Sequence, residues 1–88
     1  MPPQSITLQR ILTGRSDANI RFTDLRQVSR ALGFSERVRG SHHIFTRRDI
    51  VEILNLQPLG SMAKGYQIRQ VRQVILKYRI GEPTNGQV

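Results

Sequence analysis

An 88-residue chain without Cys forms one small domain without disulfides or thiolate metal sites, and it leaves little room for a deep cavity, so we expect it to bind a polymer on its surface. Fourteen Lys and Arg, twelve of them Arg, against six Asp and Glu give a net charge of +8, which makes nucleic acid the expected partner. The chain starts without the pattern of a signal peptide and has no apolar run near the roughly 18 residues of a membrane span, so we expect a cytoplasmic protein with no membrane partner.

Two helices are predicted before residue 34. The first runs from Ser5, which can cap its N-terminus, to Gly14, which can close it in the left-handed conformation. A polar connector over residues 15–21 leads to the second helix, which takes Thr23 as its N-cap and stops at Gly33. Apolar residues at helical spacing form one face of each helix: Leu8, Ile11 and Leu12 in the first, and Leu25, Val28 and Leu32 in the second.

Between residues 34 and 56 the apolar residues follow a period of two, which predicts β-strands. Three runs rich in β-branched and aromatic residues are separated by Gly40-Ser41 and by Arg47-Arg48-Asp49. Both separators are short enough for hairpins, so we expect a three-stranded antiparallel meander. The predicted strands cover residues 34–39, 42–46 and 51–56.

The last predicted helix follows a Pro- and Gly-containing loop over residues 57–65 and runs from Tyr66 to Arg79. Gly81-Glu82-Pro83 ends it, and residues 81–88 are expected to fray. The whole chain, residues 1–88, is predicted to be a single α+β domain in the order α-α-β-β-β-α, with the helices packed on one sheet face. The expected apolar stripe of the last helix is Ile68, Val71, Ile75 and Tyr78, and its expected outer face carries Arg69, Arg72 and Arg79.

Two adjacent histidines, His42 and His43, open the second predicted strand. Neighbouring side chains of a strand point to opposite faces, so Phe45 is expected to face the helices together with His43. His42 then projects onto the open face. If Phe34 and Val38 also point inward, the two arginines that share this open face with His42 are Arg37 and Arg39.

A histidine flanked by arginines on an exposed sheet predicts an acid–base site for RNA that needs no metal and no cofactor. The imidazole of His42 would take the proton from a ribose 2′-hydroxyl, while Arg37 and Arg39 would hold the phosphate and offset its charge. Three further cations in or just before the last helix are predicted to attract RNA: Lys64, Arg69 and Arg72.

The same residues also allow purely structural interpretations. A histidine at the rim of a strand more often forms surface hydrogen bonds than catalyses, and arginines along a helix are typical of a solvated face. No metal site is predicted, because adjacent strand positions cannot converge on one ion and neither Cys nor a third His is present. Gly40 is either a turn residue only or also an opening for a phosphate, and Ser41 is expected to be a turn residue.

The string Gly40-Ser41-His42-His43-Ile44-Phe45, preceded by a helix and Gly33-Phe34 and followed by a third strand and a helix, resembles the HicA family of bacterial and archaeal toxins. The resemblance extends from about Phe22 to Ile80. It implies a fold similar to the double-stranded-RNA-binding domain, mRNA interferase activity independent of the ribosome, and neutralisation by a HicB antitoxin. It also implies that His42 is catalytic and that Gly40 and Ser41 shape its turn.

Two features depart from the family pattern. Many members carry a Pro-x-His after the third strand, where this chain has Asn55-Leu56-Gln57-Pro58. The helix at about residues 5–13 is an addition to the core at about residues 22–80, and it could cover the sheet edge or meet a partner.

The sequence therefore predicts a toxin-type endoribonuclease with His42 as its acid–base group. The alternative is a non-catalytic RNA-binding module in which His42 only forms a hydrogen bond with ribose or phosphate. A helix-turn-helix DNA binder is less favoured, because strands follow the second helix at once. An apolar patch beside His42, which we expect the antitoxin to cover, is formed by Ile44, Val51 and Ile53.

Overall fold

The structure, a computed structural model, describes residues 3–81. Over this range its elements are α1 (Pro3–Thr13), α2 (Phe22–Ala31), β1 (Ser35–Arg39), β2 (His42–Arg47), β3 (Ile50–Leu56) and α3 (Gly65–Tyr78). The strands form one antiparallel sheet in the order β1-β2-β3, which confirms the predicted α+β class and its order of elements. Of the predicted frayed tail, residues 81–88, the part from residue 82 onward lies outside the described residues.

One hydrophobic core lies between the sheet and the helices. Strand alternation directs Phe45 of β2 and Leu54 and Leu56 of β3 toward the helices, and none of the three side chains is exposed. The helices contribute most of the apolar faces that their periodicity predicts, but Leu12 of α1 is 39% exposed and lies outside the core. The buried helix residues include Ile11 of α1, Leu25 and Val28 of α2, and Ile68, Val71 and Ile75 of α3. The helices therefore cover one face of the sheet and leave the other face open.

The strand boundaries differ from the prediction by one residue. β1 begins at Ser35, and β3 begins at Ile50, whose buried side chain belongs to the core. Phe45 pairs with Leu54 and Arg47 pairs with Ile50, so between these pairs one residue of β2 opposes three residues of β3. β3 thus has two more residues than β2 in this bulge. Because two residues are one full period of a strand, β3 keeps the same face toward the helices before and after the bulge.

Two helices begin before the residues that were predicted to cap them. α1 starts at Pro3, which suits a first turn because the N–H that proline lacks would have no partner there, and Ser5 lies inside the helix. α2 starts at Phe22, after an extended residue that forms no side-chain cap, so Thr23 is not the N-cap. The backbone N–H of Phe22 instead donates to the carbonyl oxygen of Ser61 at 3.0 Å, while the ring of Phe22 is buried in the core.

Helix α3 starts and ends one residue earlier than predicted, because Gly65 is its first residue and Arg79 leaves it in the left-handed conformation at a φ of 55°. Its end is fixed to β3 through Glu52. The carboxylate of Glu52 accepts hydrogen bonds from Lys77 Nζ at 2.8 Å and from Tyr78 Oη at 2.6 Å. These two donors lower the pKa of Glu52 to about 2.

Helix α1 contacts α2 and α3 and is part of the core. Ile11 of α1 has no exposed surface. Arg72 of α3 donates from Nη1 to the carbonyl oxygen of Ile11 at 3.0 Å, and its guanidinium forms a two-point contact with the carboxylate of Asp17 at 2.9 and 3.2 Å. The side chains of Arg72 and Asp17 are only 19% and 17% exposed. The prediction that Arg72 lies on an outer face with Arg69 is therefore wrong, because these contacts hold Arg72 against α1.

We expect Arg72→Ala to lower the free energy of unfolding by about 2 to 3 kcal/mol, because Asp17 and the carbonyl of Ile11 lose their charged donor inside the protein. The midpoint of thermal unfolding should fall by roughly 10 °C or more for a domain of this size. Arg69→Ala is the matched control, since Arg69 lies on the same helix but is exposed, and it should change stability by less than about 0.5 kcal/mol. Equal stability of the two variants in urea unfolding would show that the Asp17 contact contributes nothing.

Candidate functional site

The β1–β2 hairpin brings together residues that were predicted to form the site. Arg39 pairs with His42 and Arg37 pairs with Ile44, and Cα atoms of such pairs lie roughly 5 Å apart. Paired residues share a sheet face, and Phe45, which is one residue out of phase with them, points into the core. The alternation predicted for these residues is therefore confirmed: both arginines and His42 project onto the open face.

The turn before His42 is held by a hydrogen bond to Gln57, the residue after β3, which α3 holds in turn. Gly40 has a φ of 57°, in the left-handed region, and a Cβ there would meet no atom within 4 Å, so the backbone conformation rather than a lack of space favours glycine. Ser41 Oγ accepts a hydrogen bond from Gln57 Nε2 at 2.7 Å. The side-chain amide of the buried Gln67 in turn lies 3.0 Å from both the backbone N–H and the carbonyl oxygen of Gln57. Ser41 is thus a turn residue, as predicted.

The imidazole of His42 is exposed and contacts Asn55 of β3. His42 Nδ1 lies 3.0 Å from Asn55 Oδ1. An amide oxygen can only accept a hydrogen bond, so Nδ1 must carry the proton in this contact. Within residues 3–81, Nε2 of His42 forms no hydrogen bond. The neutral ring therefore offers its lone pair at Nε2, the nitrogen that is free to take a proton from a ligand.

His43 lies on the other face of β2 and packs toward the helices, as predicted. Its side chain is 15% exposed, and its Nδ1 lies 2.7 Å from Oε2 of Glu36 on β1. Its ring also meets the ring of Phe22 edge to face, with centroids 4.9 Å apart. His43 thus links β2 to both β1 and α2, which is a structural role.

Glu36 joins His43 to Arg26 of α2. Arg26 Nε donates to Glu36 Oε2 at 2.6 Å, and Arg26 Nη2 donates to Oε1 at 3.1 Å. These hydrogen bonds, followed by the one from His43, hold the pKa of Glu36 below its ordinary value and outweigh the opposing effect of burial. Glu36 in turn raises the pKa of Arg26. The carboxylate is therefore charged whenever the protein is near neutral pH.

β1 contributes no apolar side chain to the core. Val38 points to the helix side, as expected, where it pairs with His43, but its side chain is 55% exposed. The reason is its position on the outermost strand beside the hairpin turn, beyond the cover of the helix layer. Glu36 is the residue of β1 that binds to the helix layer.

The predicted RNA-binding cations fall into two groups. Arg37 and Arg39 lie on the open face, and neither forms an ion pair within residues 3–81, so both guanidiniums are available to an anion. Lys64, half-buried at the N-cap of α3, and the exposed Arg69 belong to the helix layer on the other side of the sheet. Arg72 is engaged with Asp17. The structure therefore does not bring these three cations to His42.

The predicted apolar patch lies on the open face beside the arginines. Val51 is 87% exposed and Ile53 is 61% exposed, while Ile44 is half-buried between its neighbours on the sheet. Asn55 pairs with Ile44 and places the patch next to His42. The three residues named from the sequence thus form one surface with the imidazole.

Reasoning from sequence missed three polar residues that support the site: Asn55 and Gln57, which contact the His42 segment, and Glu36 on the opposite face of the sheet. Asn55 and Gln57 lie in the segment that departs from the HicA pattern, and Asn55 has the same strand parity as the outward-facing Val51 and Ile53. This alternation could have been used to place Asn55 on the open face. The contact of Glu36 with Arg26 required the packing of α2 on β1, which no local pattern indicates.

No family model, curated protein or solved structure matches the chain. The HicA resemblance and the likeness to a double-stranded-RNA-binding domain therefore stay predictions. Within residues 3–81, no helix is both long and apolar enough to cross a membrane. The same range contains no group of three or more His, Asp or Glu side chains that could hold a metal ion.

We expect Glu36→Gln to lower the free energy of unfolding at pH 7 by about 1 to 3 kcal/mol, because Arg26 and His43 lose a charged acceptor. The pKa of Glu36 is lowered by folding, so its contribution is complete above the ordinary value of 4.5 and is lost as the pH falls below it. The difference between wild type and variant should therefore shrink from pH 7 to pH 3 in urea unfolding. A difference that stays constant over this range would contradict the charged contact.

Proposed function

We propose that the chain is a cytoplasmic toxin-type endoribonuclease that cleaves mRNA by histidine acid–base catalysis without a metal or cofactor, and that an antitoxin of HicB type neutralises it. The observation that carries this proposal is the geometry of His42. Its imidazole is exposed, Nδ1 contacts Asn55, Nε2 has no hydrogen bond to any residue from 3 to 81, and the residue across the hairpin is Arg39. The HicA resemblance selects the same histidine and adds support.

The reaction that suits these groups is an internal transesterification of RNA. Nε2 of His42 takes the proton of a ribose 2′-hydroxyl, and the 2′-oxygen attacks the adjacent phosphorus. The bond from phosphorus to the 5′-oxygen breaks, and that oxygen takes up a proton from the imidazolium or from water. The products are a 2′,3′-cyclic phosphate and a 5′-hydroxyl, so the reaction consumes no water and requires a 2′-hydroxyl in the substrate.

Arg37 and Arg39 supply the positive charge that this reaction requires. They are two residues apart on one strand, roughly 6 to 7 Å, and both lie on the face of His42. A guanidinium matches phosphate oxygens with two parallel donors and keeps its charge at any relevant pH. Both arginines therefore hold the scissile or a neighbouring phosphate and stabilise the charge that develops during attack.

The apolar patch of Ile44, Val51 and Ile53 is the surface on which we place the antitoxin. Val51 and Ile53 are too exposed to contribute to the core, and they extend the open face away from the arginines. A protein that buries them also covers His42, which lies on the same face, and thereby excludes RNA. A net charge of +8 favours an antitoxin whose contact surface is acidic.

We expect His42→Ala to abolish RNA cleavage in EDTA, by a factor of about 10² to 10⁴, because a positioned acid–base group contributes that much. RNA binding should be kept, since the strand and both arginines remain. Denaturing gels report cleavage, and filter binding reports affinity. A variant that cleaves as fast as wild type would exclude His42 as the acid–base group, and a wild type that binds RNA without cutting it would favour the RNA-binding module.

The control for this experiment uses two arginines of equal charge. Arg39 lies opposite His42, whereas Arg48 lies in the turn at the other end of β2, roughly 20 Å away along the strand. Arg39→Ala should weaken RNA binding and reduce the slope of log affinity against log salt by about 0.7, while Arg48→Ala should change the slope less. Oligonucleotides with 2′-deoxyribose throughout should bind and stay intact. Similar slopes for both variants would place the RNA elsewhere.

We expect Val51→Arg to make the toxin resistant to its antitoxin, because a charge replaces an apolar contact at the most exposed residue of the patch. Cleavage by the variant should persist, since Val51 touches neither His42 nor the core. Growth after co-expression with the protein encoded beside the toxin gene is the measurement. Leu59→Arg is the control, because Leu59 is 69% exposed but lies outside the sheet. Equal neutralisation of both variants would remove the patch from the antitoxin surface.

A further inference from the structure

Asn55 occupies a position on β3 that packing does not explain. Asparagine is depleted in strands, and here it lies on the open face, exposed, with its backbone paired to Ile44. Its side chain reaches diagonally across to β2, where Oδ1 meets Nδ1 of His42 at 3.0 Å. Gln57, two residues further along the same face, binds Ser41, the residue directly before His42. Both polar side chains at this end of β3 therefore contact the segment that carries the imidazole.

We propose that Asn55 is a positioning residue that fixes the tautomer and orientation of His42, an inference that rests on the proposed function for its catalytic meaning. The amide oxygen accepts the Nδ1 proton, so the lone pair of the neutral ring is at Nε2. After Nε2 has taken a proton, Nδ1–H still donates to the same oxygen. The contact with Asn55 is therefore kept through the whole proton transfer, and the ring does not have to turn between the two states.

An amide suits this position better than a carboxylate would, because of the charges around it. A carboxylate at the same distance would stabilise the imidazolium and raise the pKa of His42, so that the ring would hold its proton at higher pH. The amide orients the ring without adding a charge.

The test is NMR of the imidazole nitrogens in the whole protein without RNA. The chain has only two histidines, and the signals of His42 are those that disappear in His42→Ala. In wild type the neutral ring of His42 should carry its proton on Nδ1. Asn55→Ala should shift the ring to a mixture of tautomers, whereas Asn55→Asp keeps an acceptor oxygen and should retain the Nδ1–H form. Thr46→Ala, an exposed substitution elsewhere on β2, is the control and should change nothing.

Kinetics provide a second measurement. At saturating RNA, Asn55→Ala should reduce the cleavage rate by about ten- to a hundredfold, less than His42→Ala does. Asn55→Asp should move the rise of the rate with pH upward by about one unit or more, because the base then holds its proton longer.

A wild-type His42 with its proton on Nε2, or a tautomer ratio that Asn55→Ala leaves unchanged, would overturn the inference whatever the activity. A wild type that does not cleave RNA would overturn the proposed function, while the NMR result would still decide the role of Asn55.

Discussion

The carboxylate of Glu36 is the contact on which the arrangement of the hairpin depends. β1 contributes no buried apolar side chain, so the hydrophobic effect that holds β2 and β3 to the helices does not act on it directly. Apart from its backbone pairing with β2, β1 is attached through Glu36, which Arg26 of α2 and His43 of β2 bind from two sides. A charged network of this kind specifies one geometry, because each donor has a fixed direction that apolar packing lacks.

Strand alternation directs the two adjacent histidines to opposite faces of the sheet. His43 is drawn inward by Glu36 and Phe22, and the pleat then obliges His42 to point outward. The same pairing register puts Arg37 and Arg39 on the side of His42. The imidazole of His42 on the open face is thus positioned by a network on the opposite face, and Asn55 of β3 and Gln57, which directly follows β3, complete its support.

Local patterns were sufficient for the elements and for the faces of the sheet. The meander follows from two features of the sequence: the spacing of apolar residues changes to a period of two at residue 34, and short separators lie at Gly40-Ser41 and at 47–49. Once the strands are placed, alternation determines which sheet face His42 occupies. Contacts between distant segments were beyond such patterns. Arg72 has the spacing of a solvated helix face, yet it forms an ion pair with Asp17, 55 residues away along the chain, and is largely buried by it. Val38 lies at a strand position that faces the helices, but no helix covers it.

The attachment of β1 by charge also determines how the molecule opens. Regions that bury little apolar surface separate from a native structure at low free energy, ahead of global unfolding. Release of β1 leaves Phe45, Leu54 and Leu56 in place against the helices, whereas release of β2 or β3 would expose them. We therefore expect the amide protons of β1 to exchange with solvent through a local opening that leaves the core intact. The strand that presents Arg37 and Arg39 is therefore the strand of the sheet that the hydrophobic core holds least.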